Sequence, residues 1–177
     1  SFAHAQRQSD NLINRRSYIG RFAPSITGPL HFGSLLTAVA SYCDAKANHG
    51  KWLVRIEDTD IPRIYPHSES HILSCIDAFQ FEPDAEIIFQ KDRLELYEQV
   101  LEQLKQIQAV YACQCTRKML GSNHIYAGTC RDLHLDFSQQ AIRLKVADQL
   151  ICFNDRLQGQ QCSNLQHDLG DFVLKRR

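Results

Sequence analysis

Neither sign of charge dominates the sequence: 20 Lys and Arg stand against 20 Asp and Glu. A generally basic nucleic-acid-binding surface is therefore not expected, although a local basic face remains open. No run approaches the ~18 apolar residues of a membrane span. The opening stretch, Ser1 to Ser17, lacks the apolar segment of a signal peptide and reads as a disordered or tag-like tail. Internal repeats and low-complexity tracts are absent as well. What is present is globular: 44% of the 177 residues are apolar and 9% aromatic, enough to bury a core and to exclude wholesale disorder. One ordinary domain or two small ones fit this length, and a cytoplasmic monomer is the expectation. Arg outnumbers Lys by 13 to 7, and Arg is the better fork for carboxylate and phosphate.

Seven cysteines stand at 43, 75, 113, 115, 130, 152 and 162. Without a secretion signal a disulfide framework is not expected, and metal binding is the better reading of a tight cluster.

Tyr18 to Ala23 reads as a short strand, stopped by the breaker-rich stretch Pro24 to Pro29. From His31 to about Asn48, Phe32, Leu35, Leu36, Val39 and Cys43 recur at helical spacing, with His49-Gly50 as a stop. Trp52 to Ile56 then reads as a buried strand. Strand, glycine-bearing turn, helix and strand in this order make a βαβ unit with a parallel sheet. Further helices are expected over His67 to Phe79 and Asp92 to Gln108, and a short strand over Glu86 to Phe89. Beyond Tyr111 the texture changes to β-like runs (Ala141 to Val146, Ile151 to Leu157, Phe172 to Lys175) around the cysteines, with a soft boundary near residue 90.

In open α/β sheets ligands bind beyond the carboxyl ends of the strands, where helix N-termini present free N–H groups. Pro24 to Ser34 occupies that place. Gly28 and Gly33 allow a nucleotide close to the backbone, and His31 in the first helical turn can offer a ring N–H to a phosphate oxygen. An ordinary βα turn with an N-cap-like histidine has the same spacing.

The run Arg21-Phe22-Ala23-Pro24-Ser25-Ile26-Thr27-Gly28-Pro29-Leu30-His31-Phe32-Gly33-Ser34 resembles the first signature of class I glutamyl-type aminoacyl-tRNA synthetases. His31-Phe32-Gly33-Ser34 resembles their HIGH motif, and Arg55-Ile56-Glu57-Asp58-Thr59-Asp60 their second-strand motif. Ile26 stands where the family usually has a second proline, which is expected to loosen the loop slightly. Ser34 in place of the last HIGH histidine is similar to the glutamyl-queuosine branch and removes half of a paired-imidazole phosphate clamp.

The resemblance implies an α/β fold: the first half (18–90) of a Rossmann-like nucleotide-binding domain, then an inserted zinc-bearing α+β module (91–171) that contacts tRNA. Residues 172–177 are expected as a strand returning to the Rossmann half. It implies ATP-dependent activation of L-glutamate, with Mg²⁺, as glutamyl-adenylate. His31 is then the catalytic donor, and Pro24, Ser25, Gly28, His31, Gly33 and Ser34 bind ATP. Arg21, Phe22, Ala23, Pro24, Ser25 and Glu57 hold glutamate, Arg21 on the side-chain carboxylate and Glu57 on the α-ammonium. Asp58 and Asp60 order the turn before Pro62. In the glutamyl-queuosine branch the acceptor is queuosine in the anticodon loop of tRNA(Asp).

Cys113-Gln114-Cys115 is separated from Cys130 by fourteen residues, a spacing that suits tetrahedral zinc with a fourth donor to be found. Arithmetic offers His124, Tyr126, His134 and Cys152, and chemistry alone favours a histidine. The resemblance reverses that order, because the glutamyl-queuosine branch carries Cys-x-Cys and then Tyr-x-x-x-Cys, which Cys113, Cys115, Tyr126 and Cys130 match. Cys43, Cys75 and Cys162 are expected in the core. Arg117, Lys118, Arg131 and Arg143 are either phosphate contacts or solvated surface charge.

The second class I signature, a Lys-x-Ser-Lys-type loop, is missing, and none of the seven lysines precedes a serine. The chain thus reads as the N-terminal part of a longer synthetase. The alternatives are the same part of an ordinary glutamyl-tRNA synthetase, or a non-catalytic zinc-stapled RNA- or nucleotide-binding module.

Overall fold

The computed structural model describes residues 18–120 and 125–177, apart from the Arg117 side chain. The Ser1 to Ser17 tail and His124 lie outside the described residues. Two compact units part at Leu96/Tyr97.

The first unit carries β1 (Ile19–Phe22), α1 (Phe32–Ala47), β2 (Lys51–Ile56), α2 (Ser68–Ala78) and β3 (Ile88–Phe89). The strands form one parallel sheet in the order β1-β2-β3, with Gly20 opposite Trp52 and Ile56 opposite Phe89. Buried Trp52 centres the core. Its ring stacks with Phe22 at 6.1 Å, meets Tyr42 edge-on at 5.2 Å, and donates its Nε1–H to Ser41 Oγ at 3.0 Å. That bond satisfies the one polar atom of a large buried ring. Asp84 fixes the start of β2 by accepting from Trp52 N at 2.7 Å and from Lys46 Nζ at 2.9 Å. The Lys46 ammonium and the Trp52 N–H hold its carboxyl below the usual carboxylate range.

Helix α1 forms where expected but buries a different face. Its buried residues are Ala38 and Ala45, whereas Phe32 and Leu36 are 80% and 56% exposed. Small side chains let a helix sit close on a sheet, so the alanines, rather than the larger apolar residues, face the strands. Cys43 follows the outer face and is exposed, not core. Cys75 on α2 is half-buried with Sγ 3.8 Å from His71 Nδ1, because Ile72 and Ile76 take the buried stripe. Helix α2 starts one residue later than predicted, since His67 holds a left-handed backbone at φ 64°.

The stop after α1 is a Schellman motif: His49 N donates to Lys46 O at 3.0 Å and Gly50 N to Ala45 O at 2.8 Å. The left-handed residue is His49 (φ 51°), not the glycine. Gly50 is required for another reason, because a Cβ there would run into the Tyr18 carbonyl oxygen. Gln80 after α2 (φ 54°) and Gln108 after the next helix (φ 56°) occupy the same position of the same motif. Replacing Gln80 or Gln108 by glycine is expected to stabilise the chain by roughly 0.5–1 kcal/mol each, the left-handed penalty less the entropy of glycine. Urea unfolding midpoints of the two variants measure it.

The second unit contains most of α3 (Leu94–Gln106), then β4 (Val110–Cys113), α4 (Arg117–Leu120), β5 (Ala141–Leu144), β6 (Leu150–Asp155), β7 (Gly159–Asn164), α5 (Leu165–Asp168) and β8 (Val173–Lys175). A 3₁₀ turn over Gln90–Arg93 takes the place of the first turn predicted for α3. The main sheet is antiparallel in the order β4-β5-β8. Residues 172–177 therefore do not form the expected returning strand: β8 pairs with β5, and Leu144 N donates to Phe172 O at 2.9 Å. The sheet divides its side chains by parity. Val110 and Ile142 pack with Leu101 of α3 in one cluster, while Tyr111 and Cys113 join Tyr126 and Cys130 in another. β6 and β7 form a separate two-stranded ribbon in which Cys152 faces Cys162, and the two are joined as a disulfide. Both cysteines are exposed, so Cys162 is not core and Cys152 is no metal donor. Direct opposition in the antiparallel register brings their sulfurs together.

Candidate active site and metal centre

The turn after β1 borders a cavity of about 530 Å³ whose wall includes Arg21, Pro24, Ser25, Gly28, His31 and Ser34. Phe22 and Ala23 also line it. Gly33 lies outside that lining and acts through His31: a Cβ on Gly33 would stand 3.1 Å from His31 Cε1. His31 is the N-cap of α1, one residue ahead of the helix. Its Nδ1 accepts from Ser34 N at 3.3 Å, and its Nε2 lies 3.2 Å from Ser34 Oγ. The ring thus replaces one missing helical acceptor. With Nδ1 accepting, the proton of a neutral ring sits on Nε2, where it can serve the serine or an anion.

Glu57 comes to this turn through the backbone. Ser25 and Glu57 form a parallel bridge that prolongs β1 and β2, and Glu57 N donates to Pro24 O at 2.9 Å. A second cavity of about 180 Å³ is lined by Ser25, Thr27, Glu57, Thr59, Asp60 and Gln90, among others. Arg55 Nη2 donates to Glu57 Oε1 at 2.8 Å and orients that carboxylate. Ile26, expected to loosen the loop, ties it down instead. It is buried, its N–H donates to Glu57 O at 3.4 Å, and its carbonyl accepts from Tyr65 N at 3.0 Å. A proline could not make the first of these bonds. Asp58 is buried and accepts from Lys91 N at 2.8 Å, while Asp60 accepts from Arg63 Nε at 2.7 Å. Asp60 thus orders the turn around Pro62, whereas Asp58 ties the end of β2 to the 3₁₀ turn that follows β3.

In the second unit Cys113, Cys115 and Cys130 place their sulfurs within 4.8 Å of one another. Tyr126 Oη lies 3.5 Å from both Cys113 Sγ and Cys115 Sγ, and Cys115 Sγ lies 3.5 Å from Cys130 Sγ. Tetrahedral zinc, with Zn–S near 2.3 Å and Zn–O near 2.0–2.2 Å, sets S···O edges at about 3.5 Å and S···S edges at about 3.8 Å. These four donors fit such an ion. His134 is exposed and outside the group.

Burial opposes ionisation of Cys113, yet hydrogen bonds with the Tyr126 hydroxyl and the Arg143 guanidinium bring its thiol down to about 7. Burial and the neighbouring sulfurs push the Tyr126 phenol up, and burial also raises Cys115. Tyr126 Oη in turn accepts from Cys130 N at 2.9 Å.

Behind the thiols lies a buried polar network that the sequence reading missed. The Asp171 carboxylate accepts from Tyr111 Oη at 2.7 Å, Val146 N at 2.9 Å and Arg131 Nη2 at 3.0 Å. Its carbonyl accepts from Arg143 Nη1 at 2.6 Å. Arg143 is buried, with Nε on Cys113 Sγ and Nη1 on the Asp171 carbonyl, and is therefore not a solvated surface charge, whereas Arg131, 29% exposed, commits its Nη2 to Asp171 and the Val146 carbonyl. Lys118 is exposed.

Residues 19–177 match the family described as tRNA synthetases class I (E and Q), catalytic domain. The chain belongs to this family. Its parallel βαβ unit and the turn after β1 are accordingly parts of a class I synthetase catalytic domain. Over 161 residues the chain is 79% identical to a protein of Acinetobacter baylyi named glutamyl-Q tRNA(Asp) synthetase, covering 91% of this chain and 55% of that protein. A Neisseria meningitidis serogroup B protein of the same name is 49% identical, with 90% of this chain and 58% of the relative covered. The chain thus spans about half the length of the curated relatives it matches. Among solved structures, a glutamate tRNA ligase from Elizabethkingia meningosepticum, in complex with its amino acid, superposes with a TM-score of 0.76. Identity there is 29%, over 90% of this chain and 38% of that one. Among the described residues no helix is long and apolar enough to cross a membrane.

Proposed function

We propose that this chain supplies the first half of a Rossmann-like nucleotide-binding fold to an enzyme that activates glutamate with ATP and Mg²⁺ and transfers it to queuosine in tRNA(Asp). One observation carries the reading: the Ser25–Glu57 backbone bridge joins two neighbouring cavities, one lined by Arg21 and the helix-capping His31, the other by Glu57, with Ser25 in the wall of both. Attack of a carboxylate on the α-phosphate gathers charge on phosphate oxygens, and fixed donors lower its energy. His31 Nε2 and the free N–H groups of the first turn of α1 are the donors here. Arg21 pairs with the glutamate side chain, a forked contact suited to arginine, and Ser25 and Glu57 hold the amino-acid end.

Cys113, Cys115, Tyr126 and Cys130 hold a structural zinc ion, which when bound cross-links β4 to the loop around Cys130. Soft thiolates favour such an ion over magnesium or calcium. Lys118 remains as a candidate phosphate contact for RNA.

Glutamate-dependent exchange of pyrophosphate into ATP tests the reading. In a chain of the relatives' full length, exchange without tRNA is expected. Strict dependence on tRNA would instead favour an ordinary glutamyl-tRNA synthetase, the function named for the Elizabethkingia structure. The 177-residue chain, with no lysine followed by serine, is expected to give no exchange, and measurable turnover would show that the lysine loop is dispensable.

A further inference from the structure

Arg143 is 7% exposed and sits on β5 opposite Tyr111, on the face of the sheet that carries Cys113. It makes three contacts there. Its Nε donates to Cys113 Sγ at 3.2 Å, its Nη1 donates to Asp171 O at 2.6 Å, and its guanidinium carbon lies 3.7 Å from the centroid of the Tyr126 ring. One side chain therefore touches two of the four donors assigned to the metal and is itself fixed by the backbone.

Charge balance gives this placement a purpose. A divalent ion on three thiolates and a neutral phenol carries one net negative charge, and Cys113, Cys130 and Tyr126 bury it. An uncompensated buried charge is costly. Arg143 and Arg131 bring two positive charges and Asp171 one negative, which leaves a surplus of one positive charge directed at the sulfurs. Asp171 binds Arg131 through its carboxylate and Arg143 through its carbonyl, so it holds both cations without neutralising both. We propose that Arg143 is the positioning and charge-compensating residue of the Cys113/Cys115/Tyr126/Cys130 metal site. It fixes the Tyr126 ring by stacking and offsets the excess charge of the thiolates. The role rests on the zinc reading above.

Cobalt(II) added to the metal-free chain tests both. Charge-transfer intensity counts the sulfur donors, and ligand-field bands report the geometry. The unmodified chain is expected to take up one cobalt, displaced by zinc. Arg143→Met keeps much of the stem but removes charge and fork. It is expected to weaken cobalt binding about thirtyfold, within the range for lost outer-shell partners, and to shift the ligand-field bands as Tyr126 loses its stacking partner. Arg143→Lys restores charge without fork or stacking, so affinity should recover in part while the bands stay shifted. A purely structural role would lower the melting temperature and leave the bands in place. Arg143→Met with an affinity within about twofold of the unmodified chain and unchanged bands would overturn the proposal. If that variant does not fold, Arg143→Lys decides alone, and unmodified affinity with unmodified bands would have the same consequence. An unmodified chain that binds no cobalt with its thiols reduced would overturn the zinc reading itself, and the role of Arg143 with it.

Discussion

Cys130→Ser is expected to lose stoichiometric zinc and to melt at least about 10 °C lower than the zinc-loaded chain, since a unit of this size shifts by about 4–8 °C per kcal/mol. Cys130 is 2% exposed, its sulfur is one of the three clustered thiols, and its N–H donates to Tyr126 Oη at 2.9 Å. A serine hydroxyl stays protonated near neutral pH and is a far poorer donor than a thiolate. Structural zinc sites supply about 10–16 kcal/mol of apparent binding energy, so even a partial loss is large against ordinary stabilities. Among the described residues of the unit the apolar clusters are small: one gathers Leu101, Val110 and Ile142, and the Cys113–Tyr126 cluster belongs to the metal site itself. Elemental analysis should give one zinc per unmodified chain, and a strong chelator should bring its melting down to that of Cys130→Ser. Full zinc content with unchanged melting in the variant would refute the ligand set.

The sequence made the first unit legible because its signals are local. Apolar runs bounded by Pro24 to Pro29 and by His49-Gly50 mark β1, α1 and β2, and each element is found close to the expected span. Which face of α1 is buried was not legible. Periodicity rewards Phe32 and Leu36, but a close-packed interface selects Ala38 and Ala45. In the second unit β7, Gly-Gln-Gln-Cys-Ser-Asn, has neither alternation nor β-branched residues. It exists because Asp155 Oδ1 accepts from Leu157 N and Gln158 N, both at 2.8 Å, and folds the chain back on β6. The Cys152–Cys162 bond follows from that register, which no spacing rule reveals. The thiol cluster was legible from its spacing, whereas its polar support was not. Arg143 in Ala-Ile-Arg-Leu reads as the solvent side of a half-buried strand, yet both faces of this sheet are covered. Asp171, which no motif or spacing singles out, collects donors from Tyr111, Arg131 and Val146, the last two 40 and 25 residues away.

Asp171→Asn is the second substitution expected to have a large effect, a loss of about 3 kcal/mol in unfolding free energy, the low end for breaking a buried charge pair. The low end applies because the Arg131 side chain is 29% exposed, so water screens part of the charge left behind. Asp171 itself is 5% exposed, and its two carboxylate oxygens receive three donors: Tyr111 Oη on one, Arg131 Nη2 and Val146 N on the other. An asparagine offers one oxygen and one NH₂ group. If the oxygen stays with Arg131 and Val146, the NH₂ faces the Tyr111 hydroxyl, which must then turn its own proton away. If the amide flips, NH₂ opposes a guanidinium and a backbone N–H, which is worse. Tyr111→Phe removes only the hydroxyl and is expected to cost about 1 kcal/mol. Asp171→Asn/Tyr111→Phe should lose less than the sum of the two single losses, because the tyrosine bond is already compromised in Asp171→Asn. Urea midpoints of the four proteins measure the cycle. An Asp171→Asn midpoint equivalent to less than about 0.5 kcal/mol, the scale of ordinary surface changes, would mean that the carboxylate is not the anchor of this network.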